Sequence, residues 1–412
     1  MGDLTLLREA LAWAVQRGFG VRGALSPEAV RDLNDALGGR LDFAPRHYEA
    51  LIAFAHLCFR VEGAPPINVG DALESLQQRA FRTSNAEPPW STSRRPASET
   101  FDILGFSEIS AGITGVQRRN REGWAAHATR CKALFTQCFK QLDGRSAAVL
   151  GAGKLYDIPL RDLAHRYERL LLVDIDLEAM QRSAERVLGK IPTHVELVEC
   201  DATGVTEQFY QRLAAIVGTG TGEATMVEEL SALLWSYNLG PPPVFLPDGV
   251  EGVDTVYSVM LLSQLATPLT RAVKDAFHRV YPASRQLDEP EFQIALKQFT
   301  HRLQHDHVRA LMCSAESFAL ITDLAEQYVQ LDPSGQPQAA SAPLPMVASE
   351  RVDELIPLGG ILLPSGARRE ASVLAATGWM WPRIMPTHAG TRGSLMGVQA
   401  AVAQSRTDSG AA

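Results

Sequence analysis

The sequence predicts an α/β fold built on a parallel sheet whose two faces are covered by helices. Two observations carry that expectation. The runs Ala147-Ala148-Val149-Leu150 and Leu170-Leu171-Leu172-Val173 are short and apolar, Val195 to Cys200 reads as a third strand, and the three end at Gly151, Asp174 and Asp201. Between them lie two helical stretches, Pro159 to Tyr167 and a stripe through Leu177, Met180, Ala184, Val187 and Leu188 that Gly189 closes. Strands that are apolar throughout and alternate with helices are buried on both faces, as a parallel sheet requires.

The elements around this nucleus follow in order. Leu4, Leu7, Ala10, Leu11 and Val15 keep helical spacing, Ser26-Pro27-Glu28 reads as a helix start, and Tyr48, Leu51, Ile52, Ala55 and Cys58 form another stripe. Residues 1–82 are therefore expected as a helical N-terminal domain. Residues 83–100, rich in Ser, Pro, Asn and Arg, are expected as a linker. A helical cap or lid over 101–145 leads into the core, which spans 146–403. Within that core Thr255 to Leu261 and Phe318 to Thr322 read as strands, 265–281 and 290–312 as helical insertions, and 332–349 as a loop. Trp379 to Met385 and Leu395 to Val402 read as final strands, and 404–412 as a disordered tail. No internal repeat is present.

The 412 residues are 46% hydrophobic and 21% charged, ordinary for a chain that buries a full core. A formal charge of −8 excludes a global positive field that would gather nucleic acid or an anionic membrane. Arg118, Arg119 and Arg121 form only a local run, broken by Glu122. Cys58, Cys131, Cys138, Cys200 and Cys313 are odd in number and lack any CxxC, so neither a disulfide framework nor a zinc site is expected. No apolar run reaches the roughly 18 residues of a membrane span. The start Met-Gly-Asp-Leu-Thr-Leu has neither the basic residues nor the apolar core of a secretory leader, which predicts a cytoplasmic location.

The chemistry concentrates in Gly151-x-Gly153, Asp174 and Asp201, each just past a strand. In an open parallel sheet, loops at the carboxyl ends of strands converge on one crevice. The glycines let backbone approach a ligand without a Cβ in the way. An acid about twenty residues on, here Asp174, accepts ribose hydroxyls, and Asp201 is placed to accept the amino protons of adenine. A dinucleotide fold wants a small residue where this chain has Tyr156, which argues against a pyrophosphate ligand.

With these residues in place, the order of motifs resembles the class I S-adenosylmethionine-dependent methyltransferases. The resemblance rests on Val149-Leu150-Gly151-Ala152-Gly153, Val173-Asp174-Ile175-Asp176, Cys200-Asp201-Ala202-Thr203 and Asp254-Thr255-Val256-Tyr257-Ser258. It covers residues 145–402, motif by motif. It implies a Rossmann-like sheet with an antiparallel C-terminal strand, S-adenosylmethionine as cofactor, and methyl transfer; a small-molecule acceptor is expected from the lid that the flanking helices and the 218–250 segment would build. It further implies that Gly151, Ala152 and Gly153 pass near the methionine part and that Asp174 and Ile175 meet the ribose. Asp201 and Ala202 would meet the adenine, and Ser258 would lie near the sulfonium. The family's acid two residues before the first glycine is replaced by Val149, so the methionine amino group needs another partner, for which Asp157 is the candidate. The competing account of Asp157 is the cap of the next helix.

Candidate bases are His127, Tyr257 and His301, with His305, His307 and Asp323 behind them. His301, His305 and His307 cluster on one helix, but no HExxH occurs and no metal is expected; a solvated face is the ordinary account. Trp124 and His127 share a face of the leading helix, where packing is the plainer reading. Trp379 and Trp381 share one side of a late strand and read as packing residues. The 218–250 segment, with Trp235, Tyr237 and the Gly240-Pro241-Pro242-Pro243 run, is expected to build a substrate lid. The expected partner is a small molecule, with no nucleic acid and no membrane, and an oligomer is compatible with the sequence. Competing readings are aminocarboxypropyl transfer, as in nicotianamine synthase-like proteins, a non-catalytic binding protein, and a nicotinamide oxidoreductase.

Overall fold

The computed structural model describes residues 113–118, 120–239, 250, 252–331, 337–341, 343–349, 351–357, 361–362, 368–387 and 390–407. The expected helical N-terminal domain (1–82), the linker (83–100), the start of the lid segment, the proline run and residues 408–412 lie outside the described residues. Two compact units are present. The described part of one comprises 208–239 and 269–305; that of the other comprises 113–207, 250–268 and 306–407.

The second unit holds the whole sheet. Its parallel part is β1 (Ser146–Leu150), β2 (Arg169–Asp174), β3 (Val195–Glu199), β4 (Thr255–Val259) and the first half of β5 (Ser317–Leu331). Beyond β5 follow the short strands β6 (Pro337–Ala340), β7 (Leu344–Pro345) and β8 (Ile361–Leu362). The long β9 (Arg368–Thr387) and β10 (Gly390–Thr407) complete the set. The order is β3-β2-β1-β4-β5-β10-β9-β8, with β10 antiparallel to both β5 and β9. The fold is Rossmann-like.

Alternate residues of β1, β2 and the first half of β5 enter opposite cores, which is why these strands are rich in apolar residues, while the edge strand β3 carries Glu196 and Glu199. Ala147 and Val149, Leu170 and Leu172, and Ala319 and Ile321 pack with α1 (Arg121–Gln141), α2 (Leu160–Arg166) and α3 (Leu177–Leu188). Ala148 and Leu150, Leu171 and Val173, and Phe318 and Leu320 face Val308, Leu311 and Met312 on the other side. Each such fully buried aliphatic side chain stabilises the fold by about 1.5–3 kcal/mol relative to exposure. α3 is bounded as its sequence demands. The Asp176 carboxylate accepts from the Ala179 amide, and Gly189 closes the helix at φ +79°.

β5, β9 and β10 outrun the expected strands because their outer halves pair with one another as an antiparallel ribbon, where polar residues such as Glu326 and Gln327 are tolerated on open faces. β10 continues to Thr407, past the point at which a disordered tail was expected. The 332–349 region, expected as a loop, contributes β6 and β7.

The first unit is helical in its described residues, drawn from α4 (Thr206–Gly218), α5 (Glu223–Leu239), α6 (Thr267–Val280) and α7 (Pro290–Ser314). Phe299 stacks on Phe209 at 5.2 Å and meets Tyr237 edge-on at 5.1 Å, with the Arg302 guanidinium 5.9 Å above the Tyr237 ring. Trp235 and Tyr237, expected in a substrate lid, are buried. Among the described residues no helix is long and apolar enough to cross a membrane.

Candidate active site

β1 is flanked by β2 on one side and β4 on the other, so its carboxyl end opens at the switch point of the sheet. The loop there is pinned to both neighbours. Gly151 and Ala152 amides donate to the Val173 carbonyl at 3.0 and 3.2 Å. A Cβ on Gly151 would lie 2.7 Å from the Val259 carbonyl oxygen, and Gly151 holds φ +76°, so only glycine fits. Gly153 differs: a Cβ there would meet only the Asp174 carboxylate, at 3.4 Å.

Asp174 organises the loop. Its Oδ2 accepts from the Gly153 amide and its Oδ1 from the Asp176 amide, each at 2.9 Å. Burial pushes its carboxyl up to about 6, against the pull of those N–H donors. Ile175 beside it is half-buried, and Ala152 is buried. The Cys200 amide donates to the Asp174 carbonyl at 3.0 Å and ties the third loop to the second. Asp201 is engaged in its own turn. Oδ1 accepts from the Thr203 amide and hydroxyl, and Oδ2 from the Thr206 amide at the start of α4. Asp201 is therefore a turn and cap residue as well as a strand-end acid, with Ala202 half-buried next to it.

Three further expected residues have these surroundings. Ser258 is fully buried, and its hydroxyl is 2.8 Å from His307 Nε2, on the sheet face that the end of α7 covers. It presents no atom to a ligand at the carboxyl edge. Burial holds the His307 imidazole down to about 3, so it is neutral and part of the core, not of a solvated histidine face. Tyr257 is also fully buried; its hydroxyl is 2.6 Å from that of Tyr167, which precedes the amino end of β2. The opposite edge of the sheet carries the glycine loop, and desolvation keeps the phenol protonated far above its ordinary range. His301 belongs to the helical unit, and the histidine that the sheet recruits from α7 is His307.

What stands at the carboxyl end of β4 is Met260, at φ +52°, a left-handed backbone that L residues adopt at a cost. Its amide donates to the Ile321 carbonyl at 2.8 Å, and its carbonyl accepts from Gln264 Nε2 at 2.9 Å. Nothing in the sequence signals this strain.

The fourth expected residue, His127, sits in a cluster. Trp379 Nε1 donates to His127 Nδ1 at 3.1 Å, which leaves the ring proton on Nε2. That nitrogen lies 3.6 Å from Asp157 Oδ1 and 3.5 Å from Cys131 Sγ. Trp124 Nε1 donates to the same Asp157 Oδ1 at 2.9 Å. The His127 ring stacks on Trp381 with centroids 4.4 Å apart, and Trp124 meets Trp381 and Tyr156 edge-on at 4.9 and 5.7 Å. Burial lowers His127 to about 4 and raises Asp157 to about 7. His127 therefore has no basic lone pair to offer as a general base, because its unprotonated nitrogen is already an acceptor. Asp157 does not cap a helix; its carboxylate is turned to α1. Among the described residues no group of three or more His, Cys, Asp and Glu side chains could hold a metal ion.

No family model and no curated protein matches the chain. Solved structures similar to it include a precorrin 8W decarboxylase from Methanobacterium thermoautotrophicum (TM-score 0.23, 11% identity, 66% of this chain and 87% of that one) and several methyltransferases. One is a Pyrococcus horikoshii protein described as an RNA methyltransferase (TM-score 0.31, 10% identity, 67% of this chain and 82% of that one). Another is the N-terminal domain of EvdMO1 with S-adenosylhomocysteine bound (TM-score 0.28, 14%, 68% and 81%). A third is an amino pentose methyltransferase of calicheamicin biosynthesis from Micromonospora echinaspora, with S-adenosylmethionine bound (TM-score 0.27, 12%, 70% and 96%).

Proposed function

We propose that this chain binds S-adenosylmethionine in the crevice at the carboxyl ends of β1, β2 and β3 and transfers its methyl group to a small-molecule acceptor. The observation that carries the reading is the pairing of Gly153 with Asp174. A backbone amide and a carboxylate face each other at 2.9 Å, at the switch point, beside a position where no Cβ intrudes. The Asp174 carboxylate accepts the backbone N–H groups of Gly153 and Asp176 and keeps lone-pair capacity for a ribose hydroxyl. Asp201 keeps less capacity toward an adenine amino group, since Oδ1 already accepts twice from Thr203 and only Oδ2, with one bond from Thr206, has a lone pair to spare. Gly151 and Ala152 bring backbone close to the ligand while anchored to Val173. Ile175 and Ala202 supply the apolar edges.

The cofactor supplies a methyl group already activated by the sulfonium. The protein is left with alignment and exclusion of water. Tyr156 favours this cofactor over a dinucleotide, since its ring packs on Trp124 where a helix–strand contact around pyrophosphate would need a small residue. The aminocarboxypropyl alternative would use the same crevice and differs in leaving methylthioadenosine as product.

Calorimetry with S-adenosylhomocysteine, together with mass spectrometry of any co-purifying ligand, tests the reading. Saturable binding that Asp174→Ala weakens is the expected result. Absence of binding, with no adenosine compound in the purified protein, overturns it.

A further inference from the structure

Asp157, expected from the sequence to serve the cofactor's amino group, has Trp124 and His127 as its neighbours. Its side chain is 13% exposed. Its oxygen Oδ1 accepts from Trp124 Nε1 at 2.9 Å and lies 3.6 Å from His127 Nε2, both neutral groups. His127 is held neutral by its burial and by the indole that donates to its other nitrogen. Among the described residues no lysine or arginine pairs with Asp157. A buried carboxylate without a counter-charge is expensive, and such groups are ordinarily paired.

The walls around it are aromatic. Trp124, Tyr156, Trp379 and Trp381 cluster with the His127 ring at centroid separations of 4.4 to 5.8 Å. Trp379, Tyr156 and Asp157 are half-buried, so the cluster reaches the surface on that side. Trp381, 4% exposed, has an indole N–H with no hydrogen-bond partner among the described residues. Aromatic faces attract cations through their quadrupole, and a carboxylate among them selects positive charge and repels acids.

We infer that the methyl acceptor is an amine, whose alkylammonium group is held by Asp157 at the half-buried mouth of the aromatic box, beside Tyr156 and Trp379, with Trp124, His127 and Trp381 packed against one another behind it. The inference rests on the proposed methyl transfer for the word acceptor, and on the box alone for the word amine. The chemistry balances. The ammonium gives one proton to the Asp157 carboxylate and becomes a neutral amine. The nitrogen lone pair then forms the N–C bond to the methyl group as the C–S bond breaks and its pair returns to sulfur. The product is a methylated ammonium and a neutral thioether, and the Asp157 proton passes to water.

The test uses the full chain, with tryptophan fluorescence and calorimetry. The probes are butylammonium, tetramethylammonium, S-adenosylhomocysteine and methylthioadenosine. Saturable binding of an alkylammonium, weakened at least tenfold in Asp157→Asn while S-adenosylhomocysteine affinity stays within twofold, is the expected result. A wild-type measurement guards against misfolding of the variant. Alkylammonium affinity rises about tenfold from pH 6 to pH 8 as Asp157 ionises, because neutral His127 and the Cys131 thiol, pushed far up by burial, keep their charge state. Failure of every alkylammonium to bind overturns the inference. So does a variant that weakens S-adenosylhomocysteine but spares methylthioadenosine, since the acid would then serve the cofactor's own ammonium. Alkylammonium binding without any S-adenosylhomocysteine binding would leave the box standing and remove the cofactor reading.

Discussion

Trp379 Nε1 donates a hydrogen bond to His127 Nδ1 at 3.1 Å across 252 positions of chain. One indole on β9 thereby sets the tautomer of a histidine on α1, and that tautomer turns His127 from a possible base into a donor facing Asp157. Replacing Trp379 by Phe keeps most of the ring volume and removes the donor. Leaving a buried acceptor unpaired costs about 1–3 kcal/mol. A lowered thermal midpoint is expected. In nitrogen-detected NMR, His127 should be a single Nε2–H tautomer in the wild type and a mixture in the variant. A wild-type ring protonated at Nδ1 would contradict the assignment.

The acids set a pH dependence whose sign follows from their shifts. Asp157 and Asp174 both rise from 3.8 in the unfolded reference, to about 7 and about 6. The folded state then binds more protons than the unfolded state across that interval, so stability is greatest below the unfolded value and falls as pH rises through about 6 to 7. Denaturant unfolding of the ligand-free protein should show a loss of roughly 1–3 kcal/mol per group between pH 4 and about pH 8. Asp157→Asn should flatten much of that slope. A slope of opposite sign would mean these carboxylates have counter-charges in the folded protein.

The two loop glycines should respond differently to alanine. In Gly151→Ala the added methyl meets the Val259 carbonyl oxygen at 2.7 Å, and backbone must move. The left-handed φ adds about 1–2 kcal/mol, so a clear loss of stability is expected. Gly153, at φ +39°, carries the same kind of backbone cost, but in Gly153→Ala the methyl touches only Asp174, so the drop in unfolding midpoint should be smaller and part of the loss should fall on ligand affinity. Paired calorimetric and thermal measurements separate the two; equal destabilisation would show that the cradle beside Asp174 is a packing feature.

Asp174→Ala should weaken S-adenosylhomocysteine by at least tenfold, because hydrogen bonds to a charged acceptor contribute about 1.5–3 kcal/mol. The same change releases the Gly153 and Asp176 amides. Asp174→Asn, which keeps an acceptor oxygen, should therefore recover part of the affinity. Unchanged binding in a folded Asp174→Ala protein would remove this residue from the site.

Local pattern was sufficient for β1 to β4, α2 and α3, because these strands are rich in apolar residues and each helix keeps its own stripe. It also placed Gly151, Gly153, Asp174 and Asp201 at strand ends, since the residues that end strands in a parallel sheet are fixed by the chain itself. The lengths of β5, β9 and β10 escaped it, for their outer halves are stabilised by pairing with one another and carry polar residues. Partner choice escaped it as well. Ser258 finds His307, Tyr257 finds Tyr167, and His127 finds Trp379 only once distant segments pack.

The amino-acid sequence alone determined that a parallel α/β sheet forms and that acids and glycines collect at its carboxyl edge, since both follow from short-range periodicity. The tertiary structure decided which of those groups can act. A side chain's chemistry depends on what it is buried against and which of its atoms are already hydrogen-bonded, and at Ser258, Tyr257, His127 and Asp157 those neighbours come from far along the chain.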